Sequence, residues 1–142
     1  MQQEGGKAGS FLDCSERVIG ACIEVHRHLG PGLLESAYER CLAIELVQLG
    51  LRYERQRPVA INYKGLVLDR GYRLDLVVED ELIVEIKATE RLLPLHEAQV
   101  LTYLRLTGIR AGLLVNFGAE TLRSGLRRLT NKEPLPAFPP SC

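Results

Sequence analysis

Residues 73–87 show a regular alternation of hydrophobic and polar positions. A period of two gives a strand two faces, so this stretch predicts two short strands joined by the acidic turn Glu79-Asp80-Glu81. One predicted face is wholly apolar and consists of Leu74, Leu76, Val78, Leu82, Val84 and Ile86. The other face carries Asp75, Glu85 and Lys87. We expect the apolar face to be buried, which leaves the second face available for chemistry.

The apolar face also predicts the register of the two strands. Its members meet across the hairpin as the pairs Val78–Leu82, Leu76–Val84 and Leu74–Ile86. A shift by one residue would mix the two faces, so burial favours this pairing. The same pairing places Asp75 directly opposite Glu85, with about 4.5–5.5 Å between their Cβ atoms. Two carboxylates at that distance repel each other unless a cation or a proton lies between them.

Apolar residues at helical spacing predict two helices before the hairpin, over about 12–28 and 32–49. The segment Leu29-Gly30-Pro31-Gly32 separates them, and Gly50 is a favourable end for the second. Its expected buried stripe consists of Leu34, Ala37, Tyr38, Cys41, Leu42, Leu46 and Leu49. Glu35 and Tyr38 lie three residues apart, on one face of the helix near its start. A Glu in the first turn also favours the helix dipole, so a purely structural role for Glu35 stays open.

The remaining pattern predicts strands and one more helix. Residues 51–63 read as a strand with an edge or a bend at Pro58, and residues 66–68 begin a strand that leads into the hairpin. A third helix is expected over 94–107, with an apolar side formed by Leu95, Ala98, Leu101 and Leu104. Beside this side runs a polar stripe of His96, Gln99 and Tyr103, which suits either solvent or phosphate. The apolar run 111–117 predicts a buried strand, and 126–129 a weaker one.

This order of elements predicts an α/β fold, a mixed β-sheet centred on the hairpin and flanked by α-helices. The third helix lies between two predicted strands and can serve as a crossover. A chain of 142 residues is enough for one domain with one core. We therefore expect a single domain over residues 11–130, with disordered tails at 1–10 and 131–142.

Composition narrows the class of protein. Hydrophobic residues make up 46% of the chain and charged residues 25%, as in ordinary soluble proteins. No apolar run approaches the roughly 18 residues that a membrane span requires, and no signal segment opens the chain. The four cysteines lack both metal-type spacing and a compact disulfide pattern. A reducing cytoplasm is the expected compartment.

The net charge is zero, but its distribution is uneven. Residues 74–99 hold seven acidic and two basic groups, whereas residues 51–73 hold six basic and two acidic ones. Residues 100–142 again hold six basic and two acidic groups. Arginine supplies 14 of the 18 basic residues and suits bidentate contacts with phosphate. A polyanion could contact these basic flanks while metal ions neutralise the acidic centre.

Asp75, Glu85 and Lys87 suit metal-assisted hydrolysis of a phosphodiester. Mg²⁺ prefers carboxylate, carbonyl and water oxygens, so the two acids and the Ile86 carbonyl could hold one or two ions. Lys87 could position the attacking water or stabilise charge on phosphorus. Glu35 could enlarge the metal site if its helix packs beside the hairpin. The alternative for the hairpin is an ordinary solvated strand face, on which Lys87 offsets Glu85.

Other candidate residues have simpler explanations. Cys22 and His26 lie four residues apart and could share a zinc ion, but no nearby second pair completes such a site. His26 and His28 lie at the end of the first helix, where cationic residues are common.

Several motifs resemble those of a known superfamily. Asp75, followed by nine residues and then Glu85-Ile-Lys87, resembles the Asp…(Asp/Glu)-x-Lys core of the PD-(D/E)XK nucleases, with Leu74 where Pro is usual. Gln99-x-x-x-Tyr103 resembles the additional helix motif of the exonuclease-like branch. Gly32-Leu-Leu-Glu-Ser-Ala-Tyr38 resembles the signature of the GxxExxY family, small bacterial and archaeal proteins placed in that superfamily. The matches extend over about residues 15–130.

The resemblance implies a restriction-endonuclease-like fold and a Mg²⁺-dependent nuclease, with Mn²⁺ as a second possible ion. It implies Asp75, Glu85, Lys87 and Glu35 as the catalytic set, of which the three carboxylates bind metal. Gln99 and Tyr103 would bind substrate, which is expected to be nucleic acid and DNA in particular. His26, His96 and Asn116 match family positions and are treated as structural. A homodimer is compatible with this size, and a catalytically silent module that binds nucleic acid or protein is the alternative function.

Overall fold

The computed structural model describes residues 13–131. The predicted tails, 1–10 and 131–142, lie outside this range except for Asn131, whose backbone N–H donates to the Arg110 carbonyl at 2.7 Å. The described helices are α1 (Ser15–Leu29), α2 (Glu35–Gln48) and α3 (Pro94–Thr107). The described strands are β1 (Tyr53–Pro58), β2 (Ile61–Tyr63), β3 (Leu66–Leu68), β4 (Arg73–Val78), β5 (Leu82–Lys87), β6 (Ala111–Asn116) and β7 (Leu126–Thr130). A single 3₁₀ turn, Arg123–Gly125, precedes β7.

Five of these strands form one mixed sheet in the order β1-β4-β5-β6-β7. β5 and β6 are parallel and are joined by α3, whereas every other neighbouring pair is antiparallel. This confirms the predicted α/β class, the mixed sheet flanked by helices and the crossover role of the third helix. No helix within the described residues is long and apolar enough to cross a membrane.

Each face of the sheet has its own hydrophobic cluster. α1 and α2 cover one face, where Val18 and Leu42 pack with Leu76 and Val84. α3 covers the other face, where Leu104 packs with Ile83. β6 is buried along its whole length, as the continuous apolar run predicted.

The hairpin β4–β5 has the predicted register near its turn. Val78 pairs with Leu82 and Leu76 with Val84, and Glu79 to Glu81 form the loop. Beyond Leu76 the backbone pairing stops. Leu74 was predicted to share a face with Leu76, and this was wrong, because it packs in the α3 cluster instead. The alternation breaks at Asp75, whose carboxylate takes the place of a backbone partner for the opposite strand.

The predicted strand over 51–63 is in fact two strands. β1 ends at Pro58, which has no N–H to donate, and β2 pairs with β3 in a separate two-stranded sheet. The β3 segment therefore does not continue into β4. Instead the Val59 N–H donates to the Tyr72 carbonyl at 2.8 Å and closes the base of this small hairpin.

Two predicted helix faces also needed correction. Leu34 and Leu95 are 78% and 73% exposed, since Leu34 precedes the first residue of α2 and Leu95 lies in the first turn of α3. The buried residues of α3 are Val100, Tyr103 and Leu104. Gly112 allows α3 to approach β6 closely, since a Cβ there would lie 3.0 Å from Val100 Cγ1. The stripe that includes Tyr103 thus turns toward the sheet.

Candidate active site

Asp75 and Glu85 interlock where the β4–β5 ladder ends. The Asp75 backbone N–H donates to Glu85 Oε2 at 3.1 Å, and the Ile86 N–H donates to Asp75 Oδ2 at 2.8 Å. Each carboxylate therefore accepts the strand N–H that a backbone carbonyl would otherwise receive. Glu85 is only 4% exposed, and Asp75 is partly buried. The two carboxylates are neighbours, as the predicted register required, but side chains rather than a backbone ladder join the strands here.

The electrostatics of this pair are unfavourable to two negative charges. Burial raises the pKa of Glu85 to about 8, and the charge of Asp75 adds to the rise. Burial also raises the pKa of Asp75, although the Ile86 N–H opposes the shift. The charges of Glu39 and Glu35 push the Asp75 pKa further in the same direction. A proton or a cation between the carboxylates would relieve this electrostatic repulsion.

Lys87 connects the strand to α3. Its Nζ donates to Gln99 Oε1 at 3.3 Å, and Gln99 Nε2 lies 3.5 Å from the Tyr103 hydroxyl. Burial raises the pKa of Tyr103, and the nearby charge of Glu85 contributes. Gln99 and Tyr103 therefore lie on the side of α3 that faces the carboxylate pair, whereas His96, from the same predicted stripe, binds the backbone at the helix start.

Glu35 lies at the first position of α2 and is exposed. It is near enough for its charge to raise the pKa of both Asp75 and Glu85. Within residues 13–131, however, no three His, Cys, Asp or Glu side chains are grouped closely enough to hold a metal ion together. The structure thus brings Asp75 and Glu85 together, and the role of Glu35 as a metal ligand stays a prediction.

Tyr38 positions the start of α2. Its ring stacks on Phe117 with centroids 4.5 Å apart, and its hydroxyl donates to the Gly30 carbonyl at 2.5 Å. The same hydroxyl accepts the Leu33 N–H at 3.1 Å. These bonds hold the loop before α2, where Gly32 has a φ of 112° that favours glycine. Tyr38 therefore fixes the loop from which Glu35 emerges.

Sequence reasoning missed Glu39. This side chain is 5% exposed, and it accepts hydrogen bonds from Arg55 Nε at 2.8 Å and Gln56 Nε2 at 2.9 Å. It ties α2 to β1, the strand that pairs with β4. The available signal was its position one turn after Glu35, between the apolar residues Tyr38 and Leu42.

Three polar residues treated as structural bind the backbone. Asn116 accepts the Thr89 N–H at 3.0 Å and donates to its carbonyl at 2.9 Å, which fixes the loop after β5. His26 Nε2 lies 2.9 Å from the Ala119 carbonyl. His96 Nδ1 accepts the Leu93 N–H at the start of α3.

The Cys22–His26 pair does not suit zinc. Burial raises the pKa of the Cys22 thiol to about 12, which disfavours the thiolate that zinc requires.

The chain is similar to a known nuclease superfamily. A family model described as the PD-(D/E)XK nuclease superfamily matches residues 12–129. The chain belongs to the PD-(D/E)XK nuclease superfamily, whose members are generally nucleases that use divalent metal ions. None of the curated proteins compared with the chain matches it. One solved structure, described as the crystal structure of SSO0001, aligns with 92% of this chain and 81% of its own, at 20% identity and a TM-score of 0.39.

Proposed function

We propose that the protein is a Mg²⁺-dependent nuclease that hydrolyses phosphodiester bonds in nucleic acid, with DNA as its substrate and Mn²⁺ as an alternative ion. Superfamily membership supports the reaction class. The observation that carries the proposal is the interlocked pair of buried Glu85 and partly buried Asp75, with no arginine or lysine hydrogen-bonded to either carboxylate among the contacts of residues 13–131.

The donor set fits a hard divalent cation. Mg²⁺ is usually held by one or two protein carboxylates, with water and substrate phosphate completing its shell. Asp75 and Glu85 would hold the ion, with the Ile86 carbonyl available beside them and Glu35 as a further carboxylate. A bound cation would supply Lewis-acid polarisation of the scissile phosphate and favour ionisation of the attacking water.

The other residues bind, orient and stabilise. Lys87 lies two residues after Glu85 and is held by Gln99, so its ammonium can orient the attacking water or stabilise charge that develops on the phosphate. Gln99 and Tyr103 offer amide and hydroxyl donors to non-bridging phosphate oxygens. Attack by water on phosphorus breaks one P–O ester bond and leaves a phosphate monoester and a free hydroxyl.

Several finer assignments belong to the same proposal. We assign the chain to the GxxExxY family because the Gly32–Tyr38 segment resembles that signature, and Tyr38 gives the signature a physical meaning by fixing the loop before Glu35. A homodimer would give a chain of this size more surface with which to grip nucleic acid. The three cysteines of the described residues are free thiols, in keeping with a cytoplasmic site of action.

A cleavage assay tests the proposal. Purified protein is incubated with single-stranded, duplex and branched DNA and with RNA, in Mg²⁺, Mn²⁺ or EDTA. We expect cleavage with Mg²⁺ or Mn²⁺, none with EDTA, and none from Asp75→Asn or Lys87→Ala. Arg52→Gln, near the opposite end of β4, is the matched control and should retain activity.

Folded wild-type protein that is inert on every substrate would contradict the proposal. Binding that persists without metal and in Asp75→Ala, in the absence of any cleavage, would instead identify the silent binding module.

A further inference from the structure

The hairpin formed by β2 and β3, residues Ile61–Leu68, is here called the arm. Every residue from Asn62 to Arg73 is exposed, and no side chain of the arm belongs to either hydrophobic cluster. A two-stranded hairpin alone is only marginally stable in water. Its exposed apolar side chains therefore point to a partner that completes it.

The arm begins and ends beside the candidate active site. Its base is closed by the hydrogen bond from Val59 to Tyr72, three residues before Asp75. Tyr72 is also near enough to Tyr103 that its ionisation would add to the rise in the Tyr103 pKa that burial causes. The base of the arm thus borders the side of the site that α3 supplies.

The surface of the arm combines apolar, aromatic and basic groups. The cross-strand pairs Tyr63–Leu66 and Ile61–Leu68 put these four side chains on one face. Tyr63 is 62% exposed and Leu66 60%. At the tip, Lys64 Nζ lies 5.3 Å from the centroid of the Tyr63 ring.

We propose that the arm binds nucleic acid with unpaired bases next to the scissile phosphate, an inference that rests on the proposed nuclease function. Tyr63 stacks on an unpaired base, and Leu66 packs against the same base or its neighbour. Lys64 and Arg70 contact flanking phosphates, which positions the strand across Asp75 and Glu85.

Charge favours this occupant over a second copy of the chain. The exposed segment 62–73 carries three basic groups, Lys64, Arg70 and Arg73, and one acidic group, Asp69, an excess that complements a polyanion. Two arms packed face to face around a two-fold axis would place one positively charged surface against another of the same net charge. That arrangement is repulsive, whereas phosphate is attracted.

Fluorescence anisotropy tests the arm with full-length protein in an Asp75→Asn background, which prevents cleavage. The probes are labelled single-stranded, forked and fully duplex DNA. Lys64→Gln/Arg70→Gln removes one positive charge from the tip of the arm and one from the exposed segment that follows the arm. Arg17→Gln/Arg52→Gln removes two charges beside Glu79, at the other end of β4, and is the matched control.

We expect the arm variant to bind forked and single-stranded DNA about tenfold more weakly, with a salt slope reduced by about 1.4 for two lost phosphate contacts. The control should stay within about twofold. Tyr63→Ser should weaken single-strand binding by about tenfold, and Tyr63→Phe should not, because a phenyl ring still stacks. Circular dichroism melts verify that each variant is folded.

The outcomes separate the two proposals. Wild-type cleavage with undiminished binding by folded arm variants overturns the arm proposal and leaves the nuclease. Loss of binding in arm variants of a protein that cleaves nothing supports the arm and contradicts the nuclease. A protein that binds no nucleic acid refutes both. Sedimentation equilibrium is the last check: if the arm variants lose binding only because a dimer has become a monomer, the arm joins two copies and the proposal fails.

Discussion

Both ends of the β4–β5 hairpin carry acidic residues, but arginines balance their negative charge only at the turn. At the turn, Glu79 accepts Arg52 Nη2 at 3.0 Å and Asp80 accepts Arg57 Nη2 at 2.8 Å. The Arg52 hydrogen bond lowers the pKa of Glu79. At the other end, burial raises the pKa of Glu85 to about 8 beside Asp75.

This difference separates structural charge from charge that requires an external partner. Glu79 is half-buried and Asp80 exposed, and each is matched by an arginine, so these two carboxylates need nothing from outside the protein. Glu85 is buried and Asp75 partly buried, and within residues 13–131 these carboxylates accept hydrogen bonds from backbone N–H groups of their own hairpin alone. A protein retains such a costly arrangement where a cation or a substrate compensates for it.

The largest effect should come from breaking the buried pair. Asp75→Asn keeps an oxygen that can accept the Ile86 N–H but removes the charge, so we expect the fold to persist and cleavage to fall by ~10³ or more, several kcal/mol of barrier. The rate constant kcat with Mg²⁺ measures this. Asp80→Asn makes the same atomic change at the paired end and should leave kcat within about twofold. Equal losses from the two variants would show that the ends do not differ as proposed.

The next effect concerns stability and pH without metal. Because the folded-state pKa of Glu85 is raised from 4.5 to about 8, the folded protein holds a proton that the unfolded chain releases. The stability contributed by this proton is present below pH 4.5 and is lost as pH rises through 8. Glu85→Gln should therefore raise the free energy of unfolding at pH 9 by about 5 kcal/mol and change little at pH 4.5. Urea unfolding in EDTA at both pH values measures the difference.

Glu79→Gln makes the same atomic change at the turn, and its effect on the free energy of unfolding should have the opposite sign. The Glu79 pKa is lowered, so its contribution is present above the ordinary pKa of 4.5 and is lost as pH falls. This variant should be slightly less stable than wild type at pH 7 and equal to it in acid. A stabilising effect of Glu79→Gln at pH 9 would remove the contrast between the two ends.

Alternation and register made much of this hairpin predictable. The apolar residues on either side of the turn allow one register only, and Val78–Leu82 and Leu76–Val84 follow from it. The same reasoning made neighbours of Asp75 and Glu85. It failed at Leu74, because a carboxylate that hydrogen-bonds to the opposite backbone interrupts the ladder, and periodicity describes only regular ladders.

Helix faces were less predictable than strand faces. Leu95 suggested an apolar side for α3, but the close approach at Gly112 brings Val100 and Tyr103 to the sheet. Glu39 was overlooked because its partners, Arg55 and Gln56, lie on a different element. Buried polar contacts between distant residues depend on tertiary packing. The spacing of residues along one helix does not reveal which residues of another element will meet it.

Metal binding should also distinguish the Asp75–Glu85 end of the hairpin from its turn. Mg²⁺ and the Glu85 proton compete for one carboxylate, so apparent affinity should rise up to tenfold per pH unit until about pH 8. At a hundredfold excess over Kd, Mg²⁺ should stabilise the fold by about 2.7 kcal/mol. Differential scanning fluorimetry with and without Mg²⁺ from pH 6 to 9 measures this shift. Asp75→Asn should abolish it and Asp80→Asn should not, and a pH-independent shift would contradict competition at Glu85.

A smaller effect than at Asp75 or Glu85 is expected at Glu39, a buried carboxylate at the candidate-site end that does have a cationic partner. Glu39→Gln keeps an oxygen for Gln56 but loses the ion pair with Arg55, whose side chain is 36% exposed. Because solvent screens this pair in part, we expect a loss of about 1–2 kcal/mol of stability at pH 7. Cleavage should fall only several-fold, mainly in kcat, because Glu39 positions β1 and β4 and does not touch substrate.

Glu54→Gln, which weakens the exposed pair with Arg57, is the control for urea unfolding and kinetics. A loss of activity as large as that of Asp75→Asn would place Glu39 among the catalytic groups, and the distinction between paired and unpaired carboxylates at this end of the hairpin would fail.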